Sequence, residues 1–210
     1  MVNTKRTRDL LTRSTNLDVN SIVDELRSLR NASLESRQRH NRPPKLPARK
    51  ILVGVAEGLS ASLFPNRLGS SDLADEGIDH YVGHTLNVTL RELMVQIQHE
   101  LHYNSGLEVL SDEDRQQSVD ITRAFAKRLP KVRTLLESDI IAAYEGDPAA
   151  RNVDEVLVCY PGIMAITHYR LAHELHNLGV PLIARMISEI AHSVTGVEIH
   201  PGAQISASFF

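Results

Sequence analysis

Apolar residues recur along this chain at helical spacing. The clearest run is Val82, Leu86, Leu90, Leu93, Ile97 and Leu101, whose steps of 4, 4, 3, 4 and 4 place all six on one stripe of a long helix ending near Asn104. An earlier amphipathic helix from Leu17 to about Arg39 carries Ile22, Leu26 and Leu29, and the Pro-rich stretch Pro43 to Pro47 breaks it into a linker. A second helix is predicted from about Lys50 to Leu63, stopped by Pro65, with NRLGSSD as a loop. Ser111 followed by Asp114 reads as an N-terminal cap for a helix running to Leu129. Pro130 then suits the first turn of a separate helix bearing Val132, Leu135, Leu136 and Ile140 and closed by Gly146. Tyr160 to Gly162, sequence YPG, punctuates two further helices ended by Gly179 and Gly196; the second shows Ile183, Met186, Ile187 and Ile190 on one face.

The C-terminal stretch TGVEIHPGAQISASFF departs from this periodicity. Ile199 and Ile205 stand six apart, with Pro201, Gly202 and Ala203 between them, which is the spacing of one rung of a repeat. Solenoids bury their apolar faces only by stacking about three or more rungs, and no second full rung follows, so an exposed apolar rung is expected here.

Composition supports a helical reading. At 42% hydrophobic but only 4% aromatic, without tryptophan, the chain favours packed helices over an aromatic-rich sandwich. The single cysteine, Cys159, excludes an internal disulfide and a multi-cysteine metal site; a reduced, cytoplasmic setting is the expectation, with Cys159 as a small buried hydrophobe. The N-terminus lacks the continuous apolar core of a secretory signal, and no run of apolar residues suits a membrane span. Charge is uneven: residues 1–50 hold 12 Lys/Arg against 5 Asp/Glu, a balance of +7, leaving −10 for the rest. The basic arm has no interleaved aromatics for base stacking, so a solvated face or linker is expected, with neither nucleic acid nor membrane as partner.

Ten histidines raise the question of metal. His173 and His176 lie three apart on one helical face and His168 precedes them, but no H-E-x-x-H or cysteine pair completes a zinc set, so no metal site is expected. Asp147 precedes Pro148 and could start a helix by capping free amides. Taken singly, Tyr160, Glu198 and His200 are polar residues near turns and carry no specific chemistry.

Taken together and in order, the stretch GDPAARNVDEVLVCYPGIMAITHYRLAHELHNLGVPLIARMISEIAHSVTGVEIHPGAQI resembles the serine O-acetyltransferase family, in particular bacterial members with a long N-terminal helical region. The DPA turn, the YPG turn, the R-L-A-H helix and the TGVEIHPGA junction carry the likeness. It is dense from about Ser138 to Ile205, looser from Leu26 to Tyr103, and absent before Asn16. The resemblance implies a mainly α chain: a basic helix and linker over 1–49, a helical N-terminal domain over 50–194, and over 195–210 the first rung of a left-handed parallel β-helix of hexapeptide repeats that is then cut off. It implies transfer of an acetyl group from acetyl-CoA to L-serine, the first step toward cysteine, with L-cysteine as competing feedback inhibitor and no metal. It also implies a homo-oligomer joined through the helical domain, and O-acetylserine sulfhydrylase as partner where the full C-terminal tail exists.

By the same resemblance Asp147 holds the substrate serine and Glu198 orients the catalytic base. The family pattern continues past SFF with a hydrophobic residue and an Asp-His pair, so the base and most acetyl-CoA-binding rungs are expected outside these residues, and this chain alone is expected to be inactive. His200 belongs to the IHP turn and does not replace that base. Three positions depart from the family pattern: Gly146 where many members have Arg, Glu198 where Asp is common, and Ser206 where Gly is usual. The alternatives are a non-catalytic helical module for oligomerisation or regulation, suggested by the apolar terminal rung, and a metal-binding helical bundle suggested by the histidines.

Overall fold

A computed structural model describes residues 18–36, 44–71 and 75–210, and the chain divides into two units between Pro43 and Pro44. In the first unit the described residues form one helix, α1 (Val19–Ser36), capped where the Asp18 carboxylate accepts from the Ser21 amide at 3.2 Å. None of its residues is buried. The predicted ends of this helix, Leu17 and residues 37–39, lie outside the described residues, as do residues 1–17 and 37–43 of the basic arm.

The second unit holds α2 (Arg49–Leu63), α3 (Pro65–Leu68), a 3-10 turn (Asp75–Gly77), α4 (Ile78–Ser105), α5 (Asp112–Gly146), α6 (Val153–Cys159), α7 (Pro161–Asn177) and α8 (Pro181–Thr195). No strand occurs among the described residues. Helices α7 and α8 pack most extensively on one another, α2 lies against α4 and α8, and α5 lies against α4 and α7. The common core takes Leu52, Val55 and Leu59 from α2 and Leu93 and Ile97 from α4. Phe125, Leu136 and Ile140 of α5 meet Leu171 and Leu175 of α7 and Ile183 and Ile187 of α8 in the same cluster. Where α2 crosses α4 there is no room for a side chain at Gly58: a Cβ there would stand 2.4 Å from Oγ1 of Thr89.

Buried side chains cap helices from a distance. Glu100, fully buried in α4, accepts from the amides of Leu182 and Ile183 at 2.8 Å each, so a carboxylate meets the free donors and positive end of α8. Burial pushes its pKa up, partly opposed by those two amides. Gln96 likewise accepts from the Ala48 amide at 2.8 Å at the start of α2. The stripe predicted on α4 is therefore apolar only in part, because its inner face also carries Thr89, Gln96 and Glu100.

Several expectations are corrected. Pro130 does not start a helix: α5 is continuous for 35 residues, with Ser111 accepting from the Asp114 amide at its start as predicted. Phe125, Leu129, Val132, Leu136 and Ile140 stay in helical phase across the proline and are all buried. Burying that stripe outweighs the roughly 3 kcal/mol that an interior proline costs. NRLGSSD is not wholly loop, since Asn66, Arg67 and Leu68 belong to α3. A short helix, α6, arises where none was predicted, capped by the Asn152 side chain accepting from the Glu155 amide at 2.8 Å. Asp147 does not begin a helix but ends α5, its amide donating to the Ala143 carbonyl. Cys159 is exposed, because α6 turns Val156 inward instead. The terminal segment is not an exposed rung either: Ile199, Ala203 and Ile205 are partly buried and pack on the core.

Candidate functional site

The turn after α5 and the turn before α7 meet at one carboxylate. Asp147 folds back on its own loop, Oδ1 accepting from the Ala149 amide at 2.9 Å while its carbonyl accepts from Ala150 at 3.1 Å. Oδ2 accepts from the Tyr160 hydroxyl at 2.5 Å. Tyr160 can reach it because it both follows the last turn of α6 and caps α7, where Pro161 fixes the backbone of the first turn. The Tyr160 hydroxyl, and after it the Ala149 amide, hold the Asp147 carboxyl below its usual range. The same bond pushes the Tyr160 phenol up to about 12. At neutral pH the pair is a carboxylate and a neutral phenol, both half-exposed. Tyr160 also borders a mostly apolar groove of about 350 Å³ lined by Glu57, Leu157, Met164 and His168.

Residues 196–210, which form no helix or strand, are tied down by side chains of α5 and α7. Arg170, 4% exposed, forms a two-point ion pair with the fully buried Asp139 at 2.9 and 3.0 Å, and donates to the carbonyls of Ile205 at 2.7 Å and Ser206 at 2.6 Å. Asp139 in turn accepts from the Phe209 amide at 2.9 Å. Tyr169 donates to the Ala203 carbonyl at 2.7 Å and accepts from the Ile205 amide at 3.2 Å. Nδ1 of His173 donates to the Pro201 carbonyl at 2.7 Å, and Ser138 Oγ accepts from the Ser208 amide at 3.0 Å. Backbone groups that a strand would pair with a neighbour are thus satisfied by residues on adjoining faces of two helices. The chain's Phe210 lies beside the DPA turn: a Cβ on Gly146 would stand 2.8 Å from the Phe210 ring.

Several histidines are committed elsewhere. His173 uses Nδ1 on Pro201 and receives the Asn177 amide at Nε2, His168 Nδ1 donates to the Met164 carbonyl at 2.9 Å, and His200 Nδ1 accepts from the Gly202 amide at 3.1 Å. His176 lies edge-on to His200 with ring centres 6.2 Å apart. Among the described residues no three His, Cys, Asp or Glu side chains converge as a metal site would require.

Of the residues singled out in the sequence, Asp147 and Tyr160 are brought together. Glu198 is exposed in the terminal segment and bonds to none of the described residues. Asp139, Tyr169 and Arg170 went unnoticed as single residues. The available signal was Asp139 itself, an acidic residue on the buried stripe of Leu136, Ile140 and Ala143, which demands a cationic partner.

No family model matches the chain. It is 47% identical over 169 residues to a plasmid-encoded serine acetyltransferase of Synechococcus elongatus, an alignment covering 79% of this chain and 53% of that protein. Over 64 residues it is 56% identical to the serine acetyltransferase of Helicobacter pylori, covering 30% of this chain and 37% of that one. Among solved structures, serine acetyltransferase 1 of Entamoeba histolytica in complex with L-cysteine superposes with a TM-score of 0.62 at 29% identity, over 74% of this chain and 52% of that one. The native form of the same protein gives 0.61 at 27% identity, over 80% and 56%. The chain thus spans about half the length of the Synechococcus and Entamoeba proteins.

Proposed function

For this chain, which is related by sequence and by fold to the serine acetyltransferases, we propose the role of serine-binding part in a serine O-acetyltransferase. Acetyl-CoA and L-serine are the substrates, O-acetyl-L-serine and CoA the products, within cysteine biosynthesis. Residues 50–194 form the helical domain, and residues 195–210 open the left-handed β-helix whose further rungs hold acetyl-CoA. The observation that carries this reading is the Asp147 carboxylate, ionised and aimed by the Tyr160 hydroxyl and the Ala149 amide. A carboxylate so placed pairs with the ammonium of a zwitterionic amino acid. L-cysteine offers the same ammonium, so it competes at Asp147; the relative solved with L-cysteine supports this.

In the reaction the serine hydroxyl gives its proton to an imidazole base while its oxygen attacks the thioester carbonyl. A C–O bond forms, the C–S bond breaks, and CoA leaves as a thiolate that recovers the proton. Glu198 fixes the tautomer of that base and stabilises the imidazolium. Its extra methylene relative to aspartate brings the carboxylate farther from its backbone. In the family pattern the base belongs to an Asp-His pair that follows SFF, and the contacts on residues 203–209 hold Phe210 beside Gly146. The helical domain joins copies into a homo-oligomer, and a complete C-terminal tail docks O-acetylserine sulfhydrylase. The setting is cytoplasmic, where the exposed Cys159 thiol stays reduced; among the described residues no helix is long and apolar enough to cross a membrane.

The test is calorimetric titration of this chain with L-serine and with L-cysteine. Asp147→Asn should weaken both by roughly ten- to hundredfold, as expected for loss of a charge-assisted pair, while Glu198→Ala should leave serine affinity unchanged. Equal binding by the Asp147→Asn variant, or no binding by the parent, would refute the assignment. Serine-dependent release of CoA by this chain alone would contradict placing the base beyond Phe210.

A further inference from the structure

Helix α1 has an apolar face that its own unit leaves uncovered. Val19, Ile22, Leu26 and Leu29 step by 3, 4 and 3, and they are 49–66% exposed. These steps are those of a and d positions in a heptad, with Val19 and Leu26 at a and Ile22 and Leu29 at d. An isolated helix of this length is marginal in water, so α1 draws stability from whatever covers that seam.

We infer that α1 pairs in parallel, in register, with α1 of a second copy of this chain. The charges flanking the seam favour that occupant. Glu25 falls at g and Arg30 at the following e, the two positions that face one another across a parallel pair, so each dimer gains Glu25 to Arg30 contacts on both sides. Neither residue has an ion-pair partner among the described residues, where α1 carries only the Arg27 to Asp24 pair at 2.7 Å. The reversed arrangement sets g against g and e against e. It would offer Glu25 only Glu25 or Ala32, and Arg30 only Arg30 or Val23, so opposite charges never meet. Ser33, at the next a position, ends the apolar seam. This contact lies N-terminal to the helical domain of residues 50–194 and does not depend on its chemistry.

The 210-residue chain carrying Cys159→Ser tests the geometry by disulfide capture. Ile22→Cys should form a covalent dimer on the order of tenfold faster than Asn31→Cys at an outward f position, because facing d positions hold the two sulfurs close. Glu25→Arg or Arg30→Glu alone should slow linking through the Ile22→Cys thiol by roughly three- to tenfold, and the two together should restore it, since the pair is then only reversed. Restoration shows that 25 and 30 face each other across copies. Equal linking at positions 22 and 31, no link at position 22, or failure of the double reversal to restore it would overturn the parallel pairing, whatever the rest of the chain does to assemble copies.

Discussion

Replacing Arg170 by methionine removes the cation that, among the described residues, neutralises Asp139, a carboxylate with no solvent exposure. The guanidinium makes four hydrogen bonds, two to Asp139 and one each to the carbonyls of Ile205 and Ser206. Methionine fills much of the same volume but leaves Asp139 with the Phe209 amide as its remaining partner. Breaking a buried ion pair from one side typically costs about 3–5 kcal/mol, because an uncompensated charge stays in a low-dielectric interior. That is a large share of the roughly 5–15 kcal/mol by which domains of this size are stable. Urea unfolding followed by circular dichroism should show this loss as a lower midpoint with an unchanged slope. Amide exchange should show a second effect, faster exchange at Ile205, Ser208 and Phe209, whose amides bond to Tyr169, Ser138 and Asp139. The double variant Asp139→Leu with Arg170→Met separates the two effects. Global stability should recover, since an apolar pair removes the buried charge, while the terminal amides stay unprotected. A single variant within about 1 kcal/mol of the parent, or unchanged exchange in the double variant, would refute the reasoning.

Other perturbations follow from the same contacts. Tyr160→Phe removes the largest cause of the depressed Asp147 pKa, so carboxyl NMR should see Asp147 titrate at higher pH; an unmoved titration would contradict this. Because that folded-state pKa is depressed, Asp147 contributes stability above its ordinary pKa that is lost as pH falls through the depressed value, and the variant should flatten this acid-side dependence. Glu100→Gln leaves one of the Leu182 and Ile183 amides without an acceptor and should cost about 1–3 kcal/mol in denaturant unfolding. Burial raises the Glu100 pKa, so its contribution is largest at low pH and declines as pH climbs from the ordinary value through the raised one; the glutamine variant should lose that decline. Gly58→Ala forces a methyl against the buried Thr89 and should cost about 1–3 kcal/mol, whereas Gly146→Ala meets the exposed Phe210 ring, which can swing away, and should cost under about 1 kcal/mol. Comparable losses at the two glycines would argue against the packing explanation.

The helices with a sustained apolar stripe were legible because a 3.6-residue period is a local property. α2, α4, α7 and α8 lie close to where the periodicity, Pro65, Pro161 and the glycine after α8 put them. Gly196, in the left-handed conformation at φ 73°, ends α8 as a glycine there should. Pro130 misled because a local helix breaker competes with a long-range quantity, the burial of residues on both sides of it. Asp147 and Tyr160 each stand beside a turn signal in the sequence, but their pairing is not legible there, because the two are 13 residues apart and meet only once α6 folds between them.

The order and spacing of residues alone determined a helical protein, its main stripes, and the breaks marked by DPA, YPG and IHP. Tertiary structure decided how an irregular terminal segment is held. Its backbone has no periodic partner, so its hydrogen bonds had to come from Tyr169, Arg170, His173, Ser138 and Asp139, side chains assembled by the packing of α5 against α7. No local rule records such pairings, since they depend on which faces of two distant helices meet, and that is settled by burial summed over the whole core.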